Sequence, residues 1–501
     1  MKLIKESTSS FKRLNELLIQ NKSYLLYKYI PTSIMLMLSA YIYTLLRGAK
    51  DSILVPQLGA ELISFIKFYG VFPSTIIFFI CYSKLANILS RDKMYISIVS
   101  FFMSFFLLYA FVLGPYCEYI QPDLSALSAD FPKLQFQILM IENWTISLFY
   151  IMSELCGTVM LTLLFWQFAN ELYSVKEARK TYSLFGVIGQ TGLIVAGIVQ
   201  YIISDAASGN NLRFLDWKLS LKYMMISVAV AGFSSIIIYV WMYKKVLPNP
   251  ELCEGRPSES KEKISLSVKE SFKYVFSSKY LWLIMVIVFC YGVGINLIES
   301  VWKDQLRIQY PTHNAYSTFM GKFHIYFGCA TVTSMLLGNY ILRTFKWIVA
   351  ALFTPIGAGL SGLIFFTIII FKDSFKPLLD SLDITIVSMA VLLGSLQVII
   401  FKSFNYAFVD ATKEMAFIPL DKELRTKGKA AVDVIGGRFG KSFGAILQQL
   451  MFSFINPSLS QLSIEICIAF VITMVMWIFS VIALNKEFSK VADFAYKKVK
   501  K

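Results

Sequence analysis

Residues 434–444 read VIGGRFGKSFG and admit two incompatible readings. Gly440, Lys441 and Ser442 match the close of the phosphate-binding loop G-x-x-x-x-G-K-[ST], whose backbone amides and lysine hold nucleotide phosphates. The first glycine of that loop belongs at position 435, which is Ile435, and Gly436 comes one residue late. Such a loop also needs a soluble domain with strands and a second acid to hold it, and the sequence offers none. The other reading makes 434–455 a membrane-spanning helix that opens with glycines and two cations. Composition decides for the helix.

Of 501 residues 56% are hydrophobic, with 43 Phe and 27 Tyr. A soluble domain needs a charged shell and rarely reaches this level. Apolar stretches of about 20 residues recur throughout, each able to cross about 30 Å of hydrocarbon. The chain is therefore expected to be an all-α polytopic membrane protein. A net charge of +16 suits nucleic acid in a soluble protein, but cytoplasmic loops collect Lys and Arg for topological reasons, so no nucleic-acid partner is implied. The seven cysteines lack metal spacing, and two histidines, His313 and His324, are too few for a metal site. No metal and no cofactor are expected. The first 28 residues are basic but also carry Glu6 and Glu16, and they lead directly into a span rather than resembling a cleavable signal.

Twelve spans are expected, near 29–48, 62–83, 94–114, 146–169, 182–204, 221–243, 280–300, 322–342, 347–371, 383–405, 434–455 and 463–484. A charged, turn-rich linker at 244–279 separates six-helix units at 29–243 and 280–484, flanked by cytoplasmic tails 1–28 and 485–501. With both termini inside, about 33 Lys and Arg fall in cytoplasmic segments and about 8 in external ones, as the positive-inside bias requires. Six plus six is the major-facilitator-like layout, in which parallel repeats enclose a site at the midplane. A short match supports repetition: the fifth span opens KTYSLFG (180–186), and its counterpart, the eleventh, opens FGKSFG (439–444).

A charge inside a span is costly unless it is paired or faces water, so it points to function. Tyr43, Arg47 and Lys50 fall at i, i+4 and i+7 on one helix face, with Asp51 beside them. Snorkelling to the surface accounts for one such cation better than for two. Glu154 lies deep in the fourth span with no cation at i±3 or i±4, so its partner must come from another helix or a ligand. Glu299 and Lys303 are spaced i, i+4 and can pair along the seventh helix. Arg438, Lys441 and Ser442 form one basic face at the start of the eleventh span, where glycines allow close approach of a helix or of phosphate. Lys402 is assigned to snorkelling, and Lys67 is left open. The charged segment 405–433 is either a gate or a solvated connection. Two buried carboxylates among cations suit a polyanionic solute bearing phosphate, the acids balancing an empty cavity or forming gate salt bridges.

These residues resemble the ATP/ADP translocases, the nucleotide transporters of obligate intracellular bacteria and plant plastids. The resemblance is carried by LRGAKDSILVPQLGAELISFIKFYGVFPS (46–74), SELCGTVMLTLLFWQFANE (153–171), NLIESVWK (296–303), the segment 410–442 ending GGRFGKS, and LNKEF (484–488). It implies functional charges at Lys50, Glu154, Glu299 and Lys441. It also implies an ATP/ADP antiporter, not an enzyme, working as a monomer in the bacterial inner membrane. Host ATP enters while ADP, with phosphate, leaves. Import of GTP, UTP or CTP stays open as the alternative, because neighbours of the charges depart from the family pattern: Ser153, Cys156, Ser300 and Phe443 stand where other residues are usual. Obligate exchange requires slow return of the empty carrier, and unscreened clustering of Arg47, Lys50 and Lys441 is expected to supply it.

Overall fold

The structure, a computed structural model, describes residues 24–173, 175–208, 217–249, 252–253, 278–420, 428–432, 436–437 and 440–499. Regular structure among them is helical, without a strand. Among the described residues twelve principal helices build the bundle. They are α1 (Leu25–Leu58), α2 (Leu62–Ile88), α3 (Arg91–Leu113), α4 (Trp144–Leu172), α5 (Val175–Ser208), α6 (Trp217–Lys245), α7 (Lys279–Gln309), α8 (His313–Thr344), α9 (Trp347–Ile370), α10 (Ile386–Phe417), α11 (Gly440–Phe454) and α12 (Ser463–Val499). All but α11 contain a segment long and apolar enough to cross a membrane. α11 stands where the eleventh span is expected; Arg438, just before it, lies outside the described residues. So does most of the expected linker.

Several helices outrun their apolar stretches. α1 continues to Leu58 instead of ending near 48, α7 to Gln309 instead of 300, and α10 to Phe417 instead of 405. Charges expected at helix ends therefore stand inside continuous helix. Local chemistry sets some of the limits. The side chains of Ser278, Thr312 and Thr385 accept bonds from Leu281, Ala315 and Ser388 backbone amides, capping α7, α8 and α10. Gly59 ends α1 with φ 89°, a conformation that costs a side-chain-bearing residue strain, and a Cβ there would also lie 2.6 Å from Glu61 Oε2.

α1 packs on α4, α5 and α6, and α7 packs on α10, α11 and α12. The first six helices meet the remainder chiefly where α8 contacts α5 and α1, and where α11 contacts α2. The α5–α8 seam is tight because two glycines face it. A Cβ on Gly197 would lie 2.7 Å from the Gly321 carbonyl oxygen, and one on Gly321 2.6 Å from the Tyr201 nitrogen. Along α2 burial changes sharply: Leu62–Phe65 is wholly buried, whereas Phe72–Ile88 has no buried residue. At the buried end Phe65 stacks on Phe136, from the α3–α4 connection, with centroids 4.8 Å apart, and Phe452 of α11 lies 5.9 Å from Phe136. The connection thus closes the α2–α11 junction at that end. Lys28, expected in the N-terminal tail, is instead buried in α1, donating to Glu177 Oε1 at 2.8 Å and to the Leu252 carbonyl at 2.6 Å.

Candidate functional site

The face of α1 predicted from spacing exists, and its members turn to different partners. Tyr43 lies against Gly157 of α4, where a Cβ would fall 2.2 Å from the Tyr43 ring. Arg47 Nη2 donates to Glu299 Oε1 of α7 at 2.5 Å. Lys50 Nζ lies 2.7 Å from Glu154 Oε1 of α4 and 3.6 Å from the centroid of the Tyr150 ring, one turn before Glu154. The cation is thus held by a carboxylate and an aromatic face, both favourable where water is scarce. Lys50 also approaches Asp51 Oδ1 at 3.5 Å, while Asp51 Oδ2 is 2.7 Å from Lys303 Nζ on α7.

Three expectations change here. Glu299 does not pair with Lys303 along α7; it takes Arg47 and Lys402, and Lys303 crosses to Asp51. Lys402 does not snorkel. It is buried, because α10 carries on past it to Phe417 and keeps it far from any helix end. Arg47 and Lys50 are not unscreened, since each holds a carboxylate.

Lys67, left open from sequence, is half-buried and donates to Asn296 Oδ1 of α7 at 2.6 Å. Asn296 Nδ2 in turn donates to the carbonyls of Gly292, 2.9 Å away, and Lys441, 3.2 Å away. Gln448 of α11 donates to the Asn296 carbonyl and to Ser300 Oγ, at 3.1 and 2.6 Å. Two glycines of the opening stretch receive α7: a Cβ on Gly440 would lie 2.7 Å from the Phe289 carbonyl oxygen, and one on Gly444 3.1 Å from Asn296 Cβ. Lys441 joins the network through its backbone while its side chain is exposed, and Ser442 is half-buried. Behind α1, Gln200 fills the space left by Gly48, bonds Ser317 Oγ at 3.1 Å and meets His324 Nδ1 at 3.1 Å. The other histidine, His313, contacts the Ser52 carbonyl at 2.8 Å and stacks on Trp217.

Two ion-paired groups, Arg47–Glu299–Lys402 across α1, α7 and α10 and Glu154–Lys50–Asp51–Lys303 across α4, α1 and α7, meet on α1 as one charged network, with Tyr43 beside them. Lys67, bonded to Asn296, adjoins this network without an ion pair to either group. A lone Asn in an apolar helix was the signal for Asn296; no local pattern distinguishes Tyr150 or Gln200 from packing residues. Cys156, at a position that departs from the family pattern, is fully buried, so its side chain packs within the bundle.

Comparison with known proteins agrees with this architecture. The solved structure of a bacterial homologue of the iron transporter ferroportin, inward-facing, superposes with a TM-score of 0.56 at 14% identity, covering 89% of this chain and 98% of that one. The inward-open xylose transporter XylE of E. coli gives 0.55 at 11% identity, covering 91% and 95%. These identities establish a shared major-facilitator-like fold alone. Sequence relatives go further. ADP,ATP carrier protein 1 of Rickettsia typhi is 39% identical over 474 residues, covering 92% of this chain and 93% of the relative. ADP,ATP carrier protein 1 of Chlamydia muridarum is 40% identical over 473 residues, covering 92% and 88%. The sequence profile described as TLC ATP/ADP transporter matches residues 4–488, and this chain belongs to that family.

Proposed function

We propose that this protein exchanges external ATP for internal ADP across the bacterial inner membrane, as a monomer, by alternating access around the Arg47–Lys50–Glu154–Glu299 network. The observation that carries the proposal is that three half-buried groups, Arg47, Lys67 and Glu154, adjoin buried ion pairs that link the first six helices to the last six. Both termini are placed in the cytoplasm by the charge bias, with all twelve helices spanning. The Gly59 end of α1 then faces outward and is sealed by Asp51–Lys303, Ser52–His313 and the Phe65–Phe136–Phe452 cluster. The unburied Phe72–Ile88 stretch of α2 and exposed Lys441 lie on the cytoplasmic side.

Arg47 can hold a phosphate by two parallel bonds, and Lys50 offers a point charge. Phosphate oxygens compete with Glu299 and Glu154 for these cations. Breaking Arg47–Glu299 without a replacement leaves half-buried Arg47 without its carboxylate and Glu299 to Lys402 alone, which is costly away from water. Nucleotide supplies the replacement, so the loaded carrier crosses between states and the empty one lags. Exchange follows from screening that substrate replaces, rather than from the repulsion expected at first. Lys441 and Ser442 are assigned to guiding phosphate at the cytoplasmic mouth, and Tyr43 to the cavity wall.

The test is uptake of labelled ATP into proteoliposomes preloaded with ADP, with GTP, UTP and CTP as competitors and with phosphate included or omitted inside. Uptake that needs internal ADP supports the proposal. Preference for another ribonucleotide, or no dependence on internal nucleotide, overturns it.

A further inference from the structure

We propose that Lys67 is a substrate-binding residue that takes a phosphate group of the nucleotide and sets how strongly the carrier prefers a more highly charged one. The inference rests on the proposed nucleotide exchange. The network has five cations, Arg47, Lys50, Lys67, Lys303 and Lys402, and three carboxylates, Asp51, Glu154 and Glu299. Every carboxylate is already engaged: Glu154 by Lys50, Asp51 by Lys303 and Lys50, and Glu299 by Arg47 and Lys402. Among the described residues the ammonium of Lys67 has no carboxylate within salt-bridge distance, and its hydrogen-bond partner is the neutral amide oxygen of Asn296. With five cations against three carboxylates the network holds more positive than negative charge, and Lys67 is the cation among them with no carboxylate in contact, Glu154 and Glu299 acting on it only at longer range. A cation in that position is costly within a membrane protein unless it is hydrated or meets a mobile anion.

Position supports a ligand role over an anchoring one. Lys67 is half-buried, so a solute can reach it, whereas the paired Lys50, Lys303 and Lys402 are buried. It stands in the widened helical turn Ile66–Val71 of α2, a distortion that recurs at functional sites. Asn296 connects it to the Lys441 backbone at the mouth of α11 on one side and lies one turn before Glu299 on the other. Displacing the Lys67–Asn296 bond leaves the Nδ2 bonds of Asn296 in place, and a charge-assisted bond from Lys67 to phosphate offsets the contact that Oδ1 loses.

The experiment measures ADP-loaded proteoliposomes of wild type, Lys67→Gln and Lys67→Arg, with ATP, ADP and AMP competing against labelled ATP. Size-exclusion profiles check folding, and Lys67→Met replaces Gln if that variant does not fold. Lys67→Gln should weaken ATP about tenfold, ADP less and AMP least, as expected for loss of a charge-assisted bond whose strength grows with substrate charge. Lys67→Arg should keep the wild-type order. Equal weakening of all three, or lower maximal rate at unchanged KM, identifies an anchor between α2 and α7 and overturns the proposal. If wild-type protein exchanges no adenine nucleotide, the proposed function fails; if it does and the Gln variant keeps wild-type ratios, Lys67 alone fails.

Discussion

Arg47 and Lys402 share one carboxylate oxygen, Oε1 of Glu299, so that α1, α7 and α10 meet at a single negative charge. Replacing it by Gln keeps the shape and removes the charge that both cations require. Loss of one partner from a buried pair costs about 3–5 kcal/mol. Glu299→Gln is expected to lower the apparent melting temperature in detergent and to reduce ATP/ADP exchange at least about tenfold. Normal exchange by a normally stable variant would show that the shared carboxylate is dispensable.

Of the ion pairs between α1 and α7, Asp51–Lys303 lies nearest the Gly59 end of α1. If the pair acts as an outer clasp, neutralising both members together leaves no stranded charge and weakens closure. The double variant Asp51→Asn/Lys303→Met is therefore expected to fold better than either single variant. It should release preloaded ATP without external nucleotide faster than wild type does. Strict exchange in the double variant, with no added leak, would remove the clasp from the mechanism.

Fold class was legible because hydrophobicity acts over whole segments: apolar runs mark the spans, and loop charge orients them. The site was legible in part for the same reason, since Glu154 and the Arg47–Lys50 face are conspicuous in apolar helix. What sequence hid was partnership. Helix-internal spacing suggests Glu299–Lys303, yet tertiary packing turns Glu299 to α1 and α10 and Lys303 to α1. Lys402 was misplaced because apolar composition fades near 405 while the helix does not. Hydropathy reports lipid, and continuing helix through a protein interior is set by neighbours.

Glycines near the opening stretch should not be equivalent. A Cβ on Gly440 meets the α7 backbone at 2.7 Å, whereas one on Gly437 finds its nearest neighbour, Val288 Cγ1, at 4.0 Å. Backbone cannot yield as a side-chain tip can, and overpacking of this kind costs about 1–3 kcal/mol. Gly440→Ala is expected to lower thermal stability and exchange, and Gly437→Ala to leave both near wild type. Thermal unfolding followed in detergent, beside uptake, separates the two; equal behaviour would mean that α11 does not pack on α7 this closely.

Lys402 and Lys372 separate snorkelling from pairing most directly. Lys372 is exposed at the start of the short helix Lys372–Asp380, and its replacement by Gln removes only hydration. Lys402 is buried and shares Glu299 with Arg47, so Lys402→Gln leaves Glu299 to one cation and draws it toward Arg47. A carboxylate held more tightly by Arg47 is harder for phosphate to displace. The expected signature is a KM for ATP raised about tenfold with Lys402→Gln, recovery with Lys402→Arg, and no change with Lys372→Gln. A snorkelling Lys402 would make the two Gln variants alike, so uptake kinetics for the pair decide whether α10 contributes charge to the site or merely passes beside it.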